Sequence, residues 1–270
     1  MACPVIPPAL SGFIDDAAVF PPGNAAVVDA VENHHRYREA WYADLVGPLL
    51  LPVTRLSSVP VQTEPLRFGL IADSGARGAV AAMATLPEFL VPAQVEARLT
   101  DDDDLTALRE LRQSHDVAVF AEIPVTADFD VELPLLKHSD IVPKFRTGGL
   151  TADAFPTARR LATAIVACAR QDMSFKLTAG LHRLTRHTDP STGFDHHGFG
   201  NVLLAAEAAQ RSESVESVTE CLEIRDSAAI ADHMRGMLAG RRPLWAGFGS
   251  CSIDEPLDDL IGLSLVNKES

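Results

Sequence analysis

From about residue 45 the chain falls into a cadence: a short β-rich run, a polar or glycine-containing turn, then a helical pattern, over and over. Seven runs read as strands, at 48–55, 67–73, 93–99, 117–123, 141–146, 174–180 and 244–248. Between them, 101–114 opens on Asp101–Asp104, acids that suit the positive end of a helix, and 151–171 opens on Thr151 and carries apolar Leu161, Ile165 and Cys168. Strand–helix–strand alternation at this density implies a parallel sheet with helices outside it.

The fold expected is therefore α/β, a TIM-like (β/α) barrel. A length of 270 residues suits one such unit. An eighth strand is not visible, and 202–240 reads as wholly helical, so the barrel is expected to be irregular or incomplete, or the sheet open. Residues 1–44, with a Pro-Pro-Gly turn before a helix near 25–43, read as an N-terminal helical cap on a single domain spanning 1–270. No linker, low-complexity tract or fixed-period repeat divides the chain.

Composition narrows the function. With 47% hydrophobic residues the chain has material for a core, and general disorder is excluded. A formal charge of −14 repels phosphate backbones and anionic membrane surfaces, which points to small molecules as ligands and leaves homo-oligomerisation open. No apolar run reaches the roughly 20 residues of a membrane span, and the start lacks the basic and apolar regions of a signal peptide. A cytoplasmic protein is expected. Cys3, Cys168, Cys221 and Cys251 lie far apart, so four free thiols are expected rather than disulfides or a zinc knuckle.

Of 23 basic residues only four are lysines: Lys137, Lys144, Lys176 and Lys268. Where a generic cation suffices this chain uses arginine, so a lysine invites a reading in terms of its amine. In 141–149, a period of two puts Lys144 and Arg146 on one face and Ile141, Pro143 and Phe145 on the other. The apolar face should meet helices, leaving Lys144 and Arg146 inside the barrel near the C-terminal strand ends, where barrel active sites sit. Strand 174–180 repeats the arrangement with Lys176, Thr178 and Gly180. Two amines in one pocket disfavour each other's charged form, which suits a base or nucleophile. The structural alternative is that each lysine pairs with a carboxylate such as Glu96 or Glu122.

Other polar positions gather around this pair. Glu122 falls at a strand end, Glu96 alternates with Arg98, and Arg146 suits an anion clamp. Asp15 and Asp16 sit among apolar residues, either in an exposed turn or at a site mouth. His182, His187, His196 and His197 follow the sixth visible strand without a metal-ligand spacing; His182 reads as a general acid or base, and 183–197 as a mobile loop closing over the pocket. Gly198-Phe-Gly200-Asn201 opens a helix whose free N–H groups suit an anion, and Gly249 and Ser250 follow the last strand where barrels often hold phosphate. Ser252 and Glu255 form a capping-box pattern. For Cys251 no base is identifiable.

The pieces Lys144-Phe-Arg-Thr-Gly-Gly-Leu-Thr and Lys176-Leu-Thr-Ala-Gly-Leu-His resemble consecutive units of (β/α)8-barrel enzymes. Resemblance to lysine-dependent class I aldolases, deoxyribose-phosphate aldolase among them, implies a Schiff-base lysine with a second lysine lowering its pKa. Resemblance of Glu122-Ile-Pro124 and the later lysine strand to enolase-superfamily barrels implies a base at Lys144 and Mg²⁺ on carboxylates. The resemblance covers about 60 residues and departs from both patterns, since the aldolase's strand-borne acid is not at the matching interval and the enolase-type third metal carboxylate and N-terminal capping domain are absent.

The expected protein is thus an enzyme acting on a small carboxylated or phosphorylated carbonyl metabolite, with carbon–carbon or proton-transfer chemistry. Lys176 is the preferred amine nucleophile or base, Lys144 its pKa-lowering neighbour, and Glu122 and His182 carry protons. Arg146, Glu96, Arg98, Thr178, Asp15, Asp16, His196, Asn201, Gly249 and Ser250 are expected to contact substrate, with no metal or cofactor. A metal-dependent enolase-like lyase or isomerase, or a non-catalytic binding barrel, is the alternative.

Overall fold

A computed structural model describes residues 6–267. Along the chain the elements run β1 (Ile14–Asp16), α1 (Val27–Glu39), β2 (Val46–Pro52), β3 (Leu66–Ile71), α2 (Ala76–Met83), β4 (Leu90–Arg98), α3 (Asp102–Ser114), β5 (Ala118–Glu122), α4 (Phe129–His138), β6 (Val142–Arg146), α5 (Ala158–Arg170) and β7 (Phe175–Thr178). A small antiparallel hairpin, β8 (His187–Thr188) and β9 (Asp195–His196), comes next, then α6 (Phe199–Gln210), α7 (Val215–Glu223), α8 (Ser227–Met237), β10 (Trp245–Ser250) and α9 (Asp254–Gly262). Strands β1 to β7 and β10 pair in parallel and close into an eight-stranded barrel in the order β1-β10-β7-β6-β5-β4-β3-β2. This is the TIM-barrel fold.

The strand missing from the sequence reading is Ile14–Asp16. It lies in the segment expected to precede the sheet, and it closes the barrel by pairing with β10 on one side and β2 on the other. Within the segment 1–44 the described residues thus supply a barrel strand and α1, with a helical turn, Pro8–Leu10, ahead of β1. Arg242 secures this closure: its guanidinium donates to the carbonyls of Ala9 (3.0 Å) and Ser11 (3.1 Å) on one side and Trp245 (2.7 Å) and Ala246 (2.9 Å) on the other. The sheet is closed but irregular, with register shifts between β1 and β2, β3 and β4, and β7 and β10.

Helix starts follow local chemistry. Asp101 accepts from the Asp104 N–H (2.9 Å) and opens α3 as expected. In 151–171 the effective cap is Thr157, which accepts from the Arg160 N–H, so the helix begins after Pro156 rather than at Thr151. The stretch 202–240 breaks into three helices because Ser214 and Asp226 cap α7 and α8 internally. Apolar strand residues turn outward as the period-two reading requires: Phe145 packs edge-on against Phe129 of α4, and Phe175 stacks with Trp245. Their neighbours in sequence, Lys144 and Lys176, turn inward.

Candidate active site

Parallel pairing preserves side-chain phase, so residues in register share a face. Lys144 pairs with Lys176, Glu122 with Lys144, Arg98 with Glu122, Arg146 with Thr178, and Thr178 with Gly249, which pairs with Asp15. A continuous inward row of polar groups results. Room for it comes from glycine: a Cβ at Gly47 would stand 2.1 Å from Asp15 Oδ1, and one at Gly69 would meet Leu50 and Gln94 below 3 Å.

Glu96 is the hub. One of its oxygens lies 2.8 Å from Lys144 Nζ and the other 2.7 Å from Lys176 Nζ. Lys144 also reaches Glu122 (3.0 Å), whereas Lys176 reaches Asp15 and lies over the Phe120 ring, 4.4 Å from its centroid. Gln94 Nε2 donates to both Asp15 (2.7 Å) and Glu96 (2.9 Å). These groups are buried: Glu96 is 1% exposed, Lys176 3%, Asp15 4% and Lys144 5%.

Burial alone would raise the Glu96 carboxyl, but the two ammonium groups beside it hold it down at about 2. Asp15 goes the other way. Desolvation pushes it above the usual carboxylate range despite Lys176, helped by the nearby Glu96 charge. For Lys144, burial favours the neutral amine, yet Glu96 and Glu122 outweigh it and lift the amine above its ordinary value. Lys144 is therefore a firmly charged member of a network, not an amine depressed by its lysine neighbour. Glu122 is likewise held below its usual range, its desolvation outweighed by Lys144 and Arg146.

Toward the mouth, Arg146 Nε donates to Glu122 (3.0 Å), and the exposed Arg98 guanidinium stands 3.8 Å from the same carboxylate. Thr178 and Gly249 line the wall beside them. Several other candidates lie elsewhere. Asp16, buried on β1 rather than in an exposed turn, pairs with His34 of α1 (3.1 Å) and accepts from the Ala18 N–H. Ser250 Oγ donates to the Ser252 carbonyl (2.7 Å). Asn201 is buried in α6, accepting from the Arg186 N–H (2.7 Å) and donating to the carbonyls of Cys221 and Ile224 (2.8 Å each), so its polar atoms hold the chain together.

The N–H groups expected to be free for an anion are used: Phe199 donates to the Arg183 carbonyl and Gly200 to that of Leu184. Gly198 and Gly200 are small because the Leu184 carbonyl presses against both, with Asn201 and Thr185 against the first and Ile230 against the second. The 183–197 segment forms the β8–β9 hairpin, tied down where Asp195 meets Arg186 (2.9 Å) and Arg225 (2.8 Å). His196 in it lies against Phe155 with Nδ1 3.3 Å from the Gly180 carbonyl. His197 is buried in contact with the Pro156 carbonyl.

His182 stands at the rim, joined to Glu255 of α9 (2.8 Å from Nδ1) and facing Cys251 Sγ (3.9 Å from Nε2). Cys251 thus has the base that its sequence neighbourhood did not reveal; adjacency of β7 and β10 in the barrel is the signal that brings them together. Glu255 is not a reciprocal capping-box partner: its N–H donates to Ser252 Oγ (3.2 Å) but its carboxylate goes to His182. Cys168, Cys221 and Cys251 are free thiols, and Cys3 lies outside the described residues. Among the described residues no three His, Cys, Asp or Glu side chains are grouped to hold a metal ion, and no helix is long and apolar enough to cross a membrane. A cavity of about 500 Å³ lies apart from the lysines, between the segment after β7 and the end of α9.

No family model matches the chain, and comparison with curated proteins and with solved structures finds no match. The fold class rests on the barrel itself, and function has to be argued from the site.

Proposed function

We propose that this barrel is a cytoplasmic enzyme that makes or breaks a carbon–carbon bond, or moves a proton, next to the carbonyl of a small anionic metabolite, through a Schiff base on Lys176. The observation that carries this reading is the asymmetry of the two lysines. Lys144 is gripped by two carboxylates that keep it charged, whereas Lys176 shares Glu96 and has on its other side Asp15, a carboxyl whose burial favours taking up a proton.

Transfer of a proton from Lys176 to Asp15 leaves a neutral amine without creating net charge in the interior. Glu96 and Glu122 stay balanced by Lys144 and Arg146. The amine then adds to the substrate carbonyl, Asp15 returns its proton to the departing hydroxyl so that water leaves, and the protonated imine accepts the electron pair of the adjacent C–C or C–H bond as that bond breaks. Asp15 thereby takes the proton-carrying role that the sequence reading gave to Glu122 and His182, of which Glu122 is held ionised by Lys144 and Arg146 and His182 makes its own contacts at the rim. Arg146 and Arg98, at the mouth, supply the charge for the substrate's carboxylate or phosphate. The scheme calls on no metal ion or cofactor, and a metal-dependent reading has less support because Asp15, Glu96 and Glu122 each face a cation.

Borohydride reduction in the presence of small carboxylated and phosphorylated aldehydes and ketones, followed by peptide mass spectrometry, tests the proposal. The expected result is one reduced adduct on Lys176, lost in Lys176→Arg because guanidinium stays protonated and forms no imine. Adducts on surface amines only, with a carbonyl compound still bound, would make the barrel a binding module instead.

A further inference from the structure

The rim contacts of His182 describe a second piece of chemistry. Cys251 is the residue directly after β10, His182 follows β7, and Glu255 sits in the first turn of α9. Strands β7 and β10 are barrel neighbours, with Gly249 in register with Thr178, so two strand ends distant in sequence deliver a thiol and an imidazole to one place. The turn that carries His182 there is tightly built. Ala179 and Gly180 both have left-handed φ (63° and 77°), and a Cβ at Gly180 would stand 2.9 Å from the Thr147 carbonyl oxygen.

Geometry sets the tautomer. With Nδ1–H donating to Glu255 at 2.8 Å, the lone pair of Nε2 is left facing the thiol at 3.9 Å. Nucleophile, base and orienting carboxylate then stand in the order that thiol and hydroxyl nucleophiles use on unrelated folds. Cys251 and His182 are each only partly buried, so the centre is open to solvent. Neither of the other thiols described has an imidazole partner; burial raises Cys168 and Cys221 above the ordinary thiol range, the latter with help from Glu213. Burial would lower His182, but its contacts with Cys251 and Glu255 outweigh that and raise it.

We propose that Cys251, His182 and Glu255 form a thiol-nucleophile centre that accepts an acyl group from a small activated ester or thioester. His182 Nε2 takes the Sγ proton as Sγ bonds to the acyl carbon. The tetrahedral adduct collapses by breaking the bond to the leaving oxygen or sulfur, which departs with the proton from His182, leaving the acyl group on Cys251 as a thioester. Water then adds with His182 as base, the C–Sγ bond breaks, the thiol recovers its proton, and a carboxylic acid is released.

The test uses the full chain with p-nitrophenyl acetate between pH 6 and 8, following p-nitrophenolate release and peptide-resolved acetylation. Cys251 is expected to acetylate at least about tenfold faster than Cys221 in the same molecule. His182→Gln should bring the two rates together, and Glu255→Gln should slow Cys251 several-fold and move the pH profile of its acetylation, a change that mere packing would not produce. Equal rates at Cys251 and Cys221 in the unaltered protein, a comparison that needs no variant to fold, would overturn the proposal. So would a Cys251 rate undiminished in folded His182→Gln.

Discussion

Lys144 and Lys176 are register partners on adjacent strands, and their ammonium groups are separated by a single carboxylate, Glu96, with one oxygen turned to each. Two like charges brought this close in a dry interior would drive one to neutrality. The shared carboxylate changes the outcome. Counting Asp15, Glu96 and Glu122 against Lys144, Lys176 and Arg146, the network is neutral as a set. Any reaction at Lys176 must respect that balance, and on the proposed mechanism it does so by keeping the proton that leaves Lys176 inside the network, on Asp15.

Glu96→Gln breaks the balance at its centre. It leaves both ammonium groups buried with one carboxylate fewer, and the expected loss of unfolding free energy is about 3–5 kcal/mol, the scale for breaking a buried ion pair. Adding Lys144→Met should recover part of that loss, because the uncompensated charge goes with it. Urea denaturation of both variants measures this. A loss below about 1 kcal/mol in Glu96→Gln, the scale of an exposed pair, would mean that water reaches the network.

Much of this was legible because the phase of a strand survives in its sequence. Seven strands announced themselves by apolar runs, and the inward turn of Lys144 and Lys176 followed from the outward demand of Phe145 and Phe175. Strand β1 was hidden for a physical reason: of its three residues two are acids, and Asp15 is tolerated inside because a lysine 161 positions away and Gln94 of β4 meet it. Neither an apolar run nor an alternation could show that. The rim centre was hidden similarly, since a hairpin and three helices separate His182 from Cys251 along the chain, and only closure of the barrel makes them neighbours. The matching of Asn201 to backbone groups of other segments, which takes it out of the substrate contacts, also depends on tertiary packing.

Gly47 offers a way to disturb Asp15 without altering any titrating group. A methyl there would fall 2.1 Å from Asp15 Oδ1, so the carboxylate must swing away from Lys176 or the β1–β2 pair must spread. Gly47→Ala is expected to cost about 1–3 kcal/mol, the usual range for overpacking an interior. On the proposed mechanism it should also slow borohydride trapping at Lys176 about tenfold or more, an amount set by loss of a positioned proton acceptor. Trapping at the unaltered rate in a folded Gly47→Ala protein would remove Asp15 from that role.

Stability should fall on acidification in two stages that different residues control. His197 is buried, with Nε2 at 2.8 Å from the Pro156 carbonyl and Nδ1 facing Arg186 at 3.3 Å. Burial, reinforced by the Arg186 charge against the opposing Pro156 contact, lowers it to about 4. Its folded value lies below the unfolded 6.5, so the unfolded chain binds the proton first and stability is lost as pH falls from about 6.5 to 4. Glu96 acts lower. Its carboxyl, near 2 in the fold against 4.5 when free, contributes stability that is present above about 4.5 and is lost as pH falls toward 2. At about 1.4 kcal/mol per pKa unit each stage amounts to about 3 kcal/mol. Glu122, also lowered, adds to the second stage, while Asp15, raised by burial, binds its proton more tightly in the fold and opposes both. Urea titrations from pH 7 to 3 should show the first decline flattened in His197→Gln and the second retained. An unchanged slope between pH 6.5 and 4 in that variant would place the acid sensitivity of the fold in groups other than His197.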